Sequence, residues 1–149
     1  MTDTARVLLT AAILSAVTVS TFAWRLTRLD REDTARLIGE LRLAQWAAIL
    51  LAGVAAIPLG LVLQEPVDVT ANLDAAMAVV FVGLAGLILQ RDPREGLLLV
   101  SGAFLLHALA DIAHRPGWLA VDFAPRWYTI GCATYNVLLA GICYWARRR

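Results

Sequence analysis

His107, Asp111 and His114 form an H-x3-D-x2-H cluster inside an apolar run, LLLVSGAFLLHALADIAH. Ionisable groups within such a run are costly in hydrocarbon, and they mark either functional sites or mutually satisfied polar contacts. Imidazole and carboxylate are ligands for Zn²⁺, Fe²⁺, Mn²⁺ or Cu²⁺. At about 100° per residue the three positions fall at about 0°, 40° and −20° around a helix, so all three project from one face. His107 and His114 lie two turns apart, and one ion shared by both stretches each of them. The metal reading therefore uses one histidine as ligand, with Asp111 as a second ligand or as the group that orients the ring. Further ligands are available from Asp74, Asp122, Asn136 or Cys132. Two other chemistries fit the same residues. Asp111 can hold a histidine by hydrogen bonding in a polar helix–helix contact, or the cluster can relay a proton or cation through a histidine titrating near neutral pH.

The elements that position these residues are membrane helices. The chain has 149 residues, is 60% hydrophobic and has a mean hydropathy of +0.68, well above the apolar usage of soluble domains. Five apolar stretches are expected to become spans at about 7–24, 43–63, 72–91, 93–114 and 127–145. Asp92-Pro93-Arg94-Glu95 offers an N-cap, a proline at the first helical position and an acid at the third, so the third and fourth spans form a tight helical hairpin. The whole chain reads as a single all-α domain, an integral membrane bundle of five transmembrane helices.

Ten arginines fall in 25–42, in the hairpin turn at 91 and 94, and at 147–149, against Arg6, Arg115 and Arg126 on the other side. This asymmetry predicts an outer N-terminus and a cytoplasmic C-terminus in a bacterial inner membrane. Thr21-Phe22-Ala23 is a tolerable signal-cleavage context, but cleavage would strand five arginines outside, so a retained first span is expected. In that orientation the cluster sits towards the outer face with Glu65, Asp68, Asn72, Asp74 and Asp122, bordered by Trp118, Trp127 and Tyr128. An acidic face carrying two histidines is suited to a cation.

Several classes are excluded. Net charge is only +1 with dispersed arginines, which offers no nucleic-acid stripe. No lysine is present, so neither retinal nor pyridoxal phosphate can form a Schiff base with the chain. Cys132 and Cys143 are about 16 Å apart along one helix, beyond disulfide reach, and no nucleophile elbow, P-loop, H-E-x-x-H or dinucleotide motif occurs. Residues 25–42 mix acids and arginines and are expected to form a turn and a solvated extension of the second helix. Ala52, Ala56 and Gly60, with Gly83 and Gly86, are expected to be close-packing faces that also allow a homo-oligomer or a membrane-complex partner.

The stretch His107 to Cys143 carries LLH-x3-D-x2-H, then Phe123-Ala124-Pro125, Gly131-Cys132-Ala133, Asn136 and Cys143. In this it resembles a family of small bacterial multi-spanning membrane proteins without a known activity. Arg115 stands here where that pattern has a second consecutive histidine, and Asn136 where it has an aspartate. The resemblance implies a shared membrane fold and polar site, and no substrate. Three functions follow as expectations. The first is a small cation- or metal-binding, transport-associated membrane protein. The others are a metal-dependent or His–Asp enzyme acting on a lipid-soluble substrate, and a structural subunit of a membrane complex.

Overall fold

A computed structural model describes residues 3–62, 69–113 and 126–149, without the side chains of 58, 59, 61, 62 and 69–74. The described residues form five helices and no strand: α1 (Asp3–Leu26), α2 (Thr34–Val62), α3 (Val69–Ile88), α4 (Pro93–Ala113) and α5 (Arg126–Arg148). Four of them, α1, α2, α4 and α5, are long and apolar enough to cross a membrane; the described apolar part of α3 is shorter, Ala75–Ile88. Local chemistry accounts for the boundaries. Asp33 caps α2, its Oδ1 accepting from the Ala35 amide at 2.8 Å. Pro93 opens α4 as expected, and the Gly96 amide bonds the Asp92 carbonyl at 2.7 Å. Glu95 turns aside to Arg91, 3.5 Å away, instead of reaching back over the cap. α2 continues as helix through Pro58.

Close contacts fix the direction of every helix. Leu26 at the end of α1 meets Gly39 near the start of α2, Ala44 of α2 meets Gly96 of α4, and Gly96 also lies 3.5 Å from the carbonyl of Ile88 at the end of α3 if given a Cβ. The end of α5 joins them, because Arg36 donates to the Ala146 carbonyl at 3.3 Å. One end of the bundle therefore gathers the C-termini of α1, α3 and α5 and the N-termini of α2 and α4. The helices alternate in direction, and α3 must run back between α2 and α4. Among the described residues α2 touches all four other helices, α4 packs most extensively on α5, and α1 and α3 make no contact with each other. Only 17% of the α1 span is buried against 44% for α2 and α4, which makes α1 peripheral.

The interior is built from small side chains. Ala23, Ala44, Ala47, Ala48, Ala55, Ala85, Ala103 and Ala140 are buried, with Leu43, Leu51, Leu97, Phe104 and Leu139 filling between them, while Leu14, Val79, Leu106, Leu109 and Ile130 point outwards. Small residues let helix backbones approach where lipid supplies no hydrophobic drive for association. Three hydroxyls on α1 are satisfied within the helix: Thr10, Thr18 and Thr21 donate to carbonyls four residues back at 2.8–2.9 Å.

Two expectations are corrected. The close-packing face of α2 is Ala44, Ala47, Ala48, Leu51 and Ala55; Ala56 and Gly60 face outwards, and a Cβ added at Gly60, Gly83 or Gly86 would touch nothing within 4 Å. Helical register places these small residues off the seam that the described residues form. The second correction concerns the charged segment, which is not a uniformly solvated face. Arg36 and Glu40 are 1% and 0% exposed. The Arg36 Nε donates to Glu40 Oε1 at 2.9 Å, and its other nitrogens reach the carbonyls of Leu29 and Ala146. Arg94 bonds the second Glu40 oxygen at 3.2 Å. A ring of arginines closes over this triad: Arg94 donates to the Arg31 carbonyl, Arg31 to that of Arg147, and Arg147 to that of Arg94. Buried charge is tolerated because every guanidinium finds an oxygen.

Candidate functional site

At the opposite end, α4 and α5 bring four polar side chains together. The inward face of α4 carries Val100, Ala103, Phe104, His107, Ala108 and Asp111, following the three- and four-residue spacing of a helix stripe. On α5, Tyr128, Cys132 and Asn136 stack at intervals of four and turn the same way. Asp111 is 8% exposed, His107 5% and Asn136 0%.

The His107 Nδ1 lies 3.2 Å from Asp111 Oδ2. The amide nitrogen of Asn136 lies 3.0 Å from that same Nδ1, 3.1 Å from Asp111 Oδ2 and 3.4 Å from the Cys132 sulfur. One ligand atom each of His107, Asp111 and Cys132 falls within a mutual 4.8 Å. Phe81 of α3 covers the imidazole, with ring centroids 4.6 Å apart and planes tilted by 49°. The Tyr128 hydroxyl, one turn beyond Cys132, is buried beside that thiol.

These distances define an excess of acceptors. An amide NH₂ has two hydrogens, yet three atoms able to accept surround the Asn136 nitrogen, and the buried Asn136 Oδ1 has no partner among the described residues. Turning the amide by 180° exchanges one fault for another. The oxygen would then accept from a protonated Nδ1 but would lie against Asp111 Oδ2, oxygen to oxygen. With Asp111 as a carboxylate, hydrogen bonding among the four groups satisfies neither orientation; a proton on Asp111 or a bound cation is what the two facing oxygens require. A positive charge among them would satisfy the turned one, since Asn136 Oδ1, Asp111 Oδ2, His107 Nδ1 and Cys132 Sγ can all donate electron pairs to it. Ligand bonds of about 2.0–2.3 Å in a tetrahedron correspond to edges of roughly 3.3–3.8 Å, slightly wider than the His107–Asp111 separation and the three from the Asn136 amide.

The structure thus joins His107 and Asp111 and adds Asn136 and Cys132 from α5. His114 and Asp122 lie outside the described residues; Asp74 falls within α3, but its side chain also lies outside them. Phe81 was missed as a site neighbour by sequence reasoning, which had Tyr128 in the aromatic border of the cluster but not beside Cys132. The regular 128, 132, 136 spacing was a signal for Tyr128, whereas nothing local in α3 points to Phe81. Compared with known proteins, the chain matches no family model, no curated relative and no solved structure. The class defined by fold and geometry is therefore a helical membrane protein with a buried His/Asp/Asn/Cys cluster between two helices.

Proposed function

We propose that this chain is a small multi-pass protein of a bacterial inner membrane that binds a cation at the His107–Asp111–Asn136 cluster, in a binding or transport-associated role. The observation that carries this reading is the acceptor excess: a buried amide whose nitrogen faces a carboxylate, an imidazole nitrogen and a sulfur, and whose oxygen has no partner among the described residues. The proposed topology has five crossings. Its support is the alternation of helix directions, which requires α3 to return across the same thickness as α2 and α4, and the length of α3, 20 residues, or about 30 Å at 1.5 Å per residue. The end that holds the arginine ring carries most of the arginines, which supports a cytoplasmic C-terminus and an outer N-terminus. On that topology the cluster lies towards the outer face. Asp111 and His107 are two and six residues from the end of α4, about 3 and 9 Å along the axis.

Metal analysis of untagged protein, loaded and then desalted, tests the reading. Wild type is expected to retain stoichiometric divalent metal, and the His107→Ala/Asp111→Asn variant to retain none. A wild type that holds no ion under these conditions, with the variant behaving identically, removes the cation reading and leaves a polar helix contact.

A further inference from the structure

We propose that the bound ion is a thiophilic divalent transition metal of the zinc class, and that Cys132 is the ligand that selects it. This rests on the cation reading above and adds the chemistry of the ion. Charge is the first argument. Within a membrane-embedded bundle an ion site is tolerated only near electrical neutrality, because solvation lost by the charges must be returned by their partners. The four side chains offer a carboxylate at Asp111 and a thiolate at Cys132, with His107 and Asn136 as neutral donors. Two negative charges balance one M²⁺, the Cys132 proton leaving to water as the metal–sulfur bond forms. Donor number is the second argument. Mg²⁺ and Ca²⁺ require six or more oxygen ligands, whereas this cluster presents one carboxylate, one imidazole and one sulfur within 4.8 Å of one another, each 3.0–3.4 Å from the amide nitrogen of Asn136, the position its oxygen takes when the amide is turned. A mixed nitrogen, oxygen and sulfur set of four is the coordination of zinc-like ions.

That the Asn136 oxygen has no partner among the described residues is an observation independent of the charged groups. Its amide is fully buried and already sits against the other three donors, so a half-turn about the last side-chain bond brings the oxygen into the ligand position without moving the backbone. Cys132 is the donor that distinguishes this set from one for a hard or monovalent ion. With its thiol protonated, Asp111 alone would balance a single positive charge. Cys143, the other cysteine, is fully buried in the hydrophobic core eleven residues further along α5 and takes no part.

Cobalt titration of the intact, untagged chain in detergent is the test, because tetrahedral Co²⁺ reports both its geometry and any sulfur ligand. Wild type and Cys143→Ser are expected to show a near-ultraviolet sulfur-to-cobalt charge-transfer band that Zn²⁺ abolishes by displacement. Cys132→Ser is expected to lose the band and to bind Zn²⁺ at least tenfold more weakly. Because the variant can fail to fold, alkylation of Cys132 in wild-type membranes gives a second readout. Zn²⁺ is expected to slow that reaction, and Mg²⁺ to leave it unchanged. Cobalt bound without a thiolate band, together with alkylation indifferent to Zn²⁺, overturns the role of Cys132 and leaves the cation reading standing. Absence of any Co²⁺ or Zn²⁺ binding by wild type overturns both.

Discussion

Removing Glu40 should destabilise the bundle more than any other single loss of a surface-type residue. The two halves of its ion triad differ in weight. The Arg36–Glu40 pair is 2.9 Å long with both side chains 1% exposed, whereas Arg94 is 43% exposed at 3.2 Å. Breaking a buried pair by deleting one partner leaves an uncompensated charge and costs about 3–5 kcal/mol. The half-exposed Arg94 contact adds about 0.2–1 kcal/mol. Glu40→Ala is therefore expected to lower unfolding free energy by about 3–5 kcal/mol. Arg94→Ala, which also loses the bond to the Arg31 carbonyl, should cost about 1–2 kcal/mol. In Arg36→Met/Glu40→Leu no charge is stranded, and the remaining cost comes from the Leu29 and Ala146 carbonyls that Arg36 had satisfied, about 1–3 kcal/mol in total. Reversible unfolding in mixed micelles, followed by tryptophan fluorescence, measures all three. A Glu40→Ala cost below about 1 kcal/mol would show that water reaches the pair and would refute the argument. So would a double variant equal to the sum of its single changes.

Three further outcomes follow from the same contacts. Gly96→Val should cost about 1–3 kcal/mol in the same assay, since even a Cβ there lies 3.3 Å from Ala44 and 3.5 Å from the Ile88 carbonyl; Gly83→Ala, where a Cβ meets nothing, is the neutral control. Tyr135→Phe removes the 2.7 Å bond to Ser15 that ties peripheral α1 to α5, and should cost about 0.6 kcal/mol, the average for such bonds in membrane helices. Asn136→Asp places a second carboxylate against Asp111, so melting of the metal-free protein should fall and Zn²⁺ should raise it by more than in wild type. An equal zinc response in the two proteins would count against a ligand at position 136.

Much of the architecture was legible before any coordinates. Helix length, the Asp92-Pro93 start and the spacing of His107 and Asp111 are local properties, and helical geometry alone puts that pair on one face. Asn136 was available as a further ligand for the cluster, and its amide does meet Asp111 of α4. The contribution of Cys132 was harder to see, because a small thiol in an apolar helix packs as readily as it binds. The charged segment misled for a related reason. Arg36 and Glu40 satisfy the i, i+4 rule of a solvated surface pair, and only the approach of α4 and α5 buries them.

The sequence by itself determined that the chain forms apolar helices, where α4 starts, how its arginines divide, and which residues share a face. Tertiary structure decided which face turns inwards. In water, hydrophobicity distinguishes the two sides of a helix; beside lipid, whose tails are as apolar as the protein interior, it does not. The outward turn of Ala56 and Gly60, the seam at Ala44 and Gly96, the closure of three arginines over Glu40 and the meeting of Asn136 with His107 all depend on how neighbouring helices fit. Each is a property of paired surfaces, which helical periodicity in a single segment cannot specify.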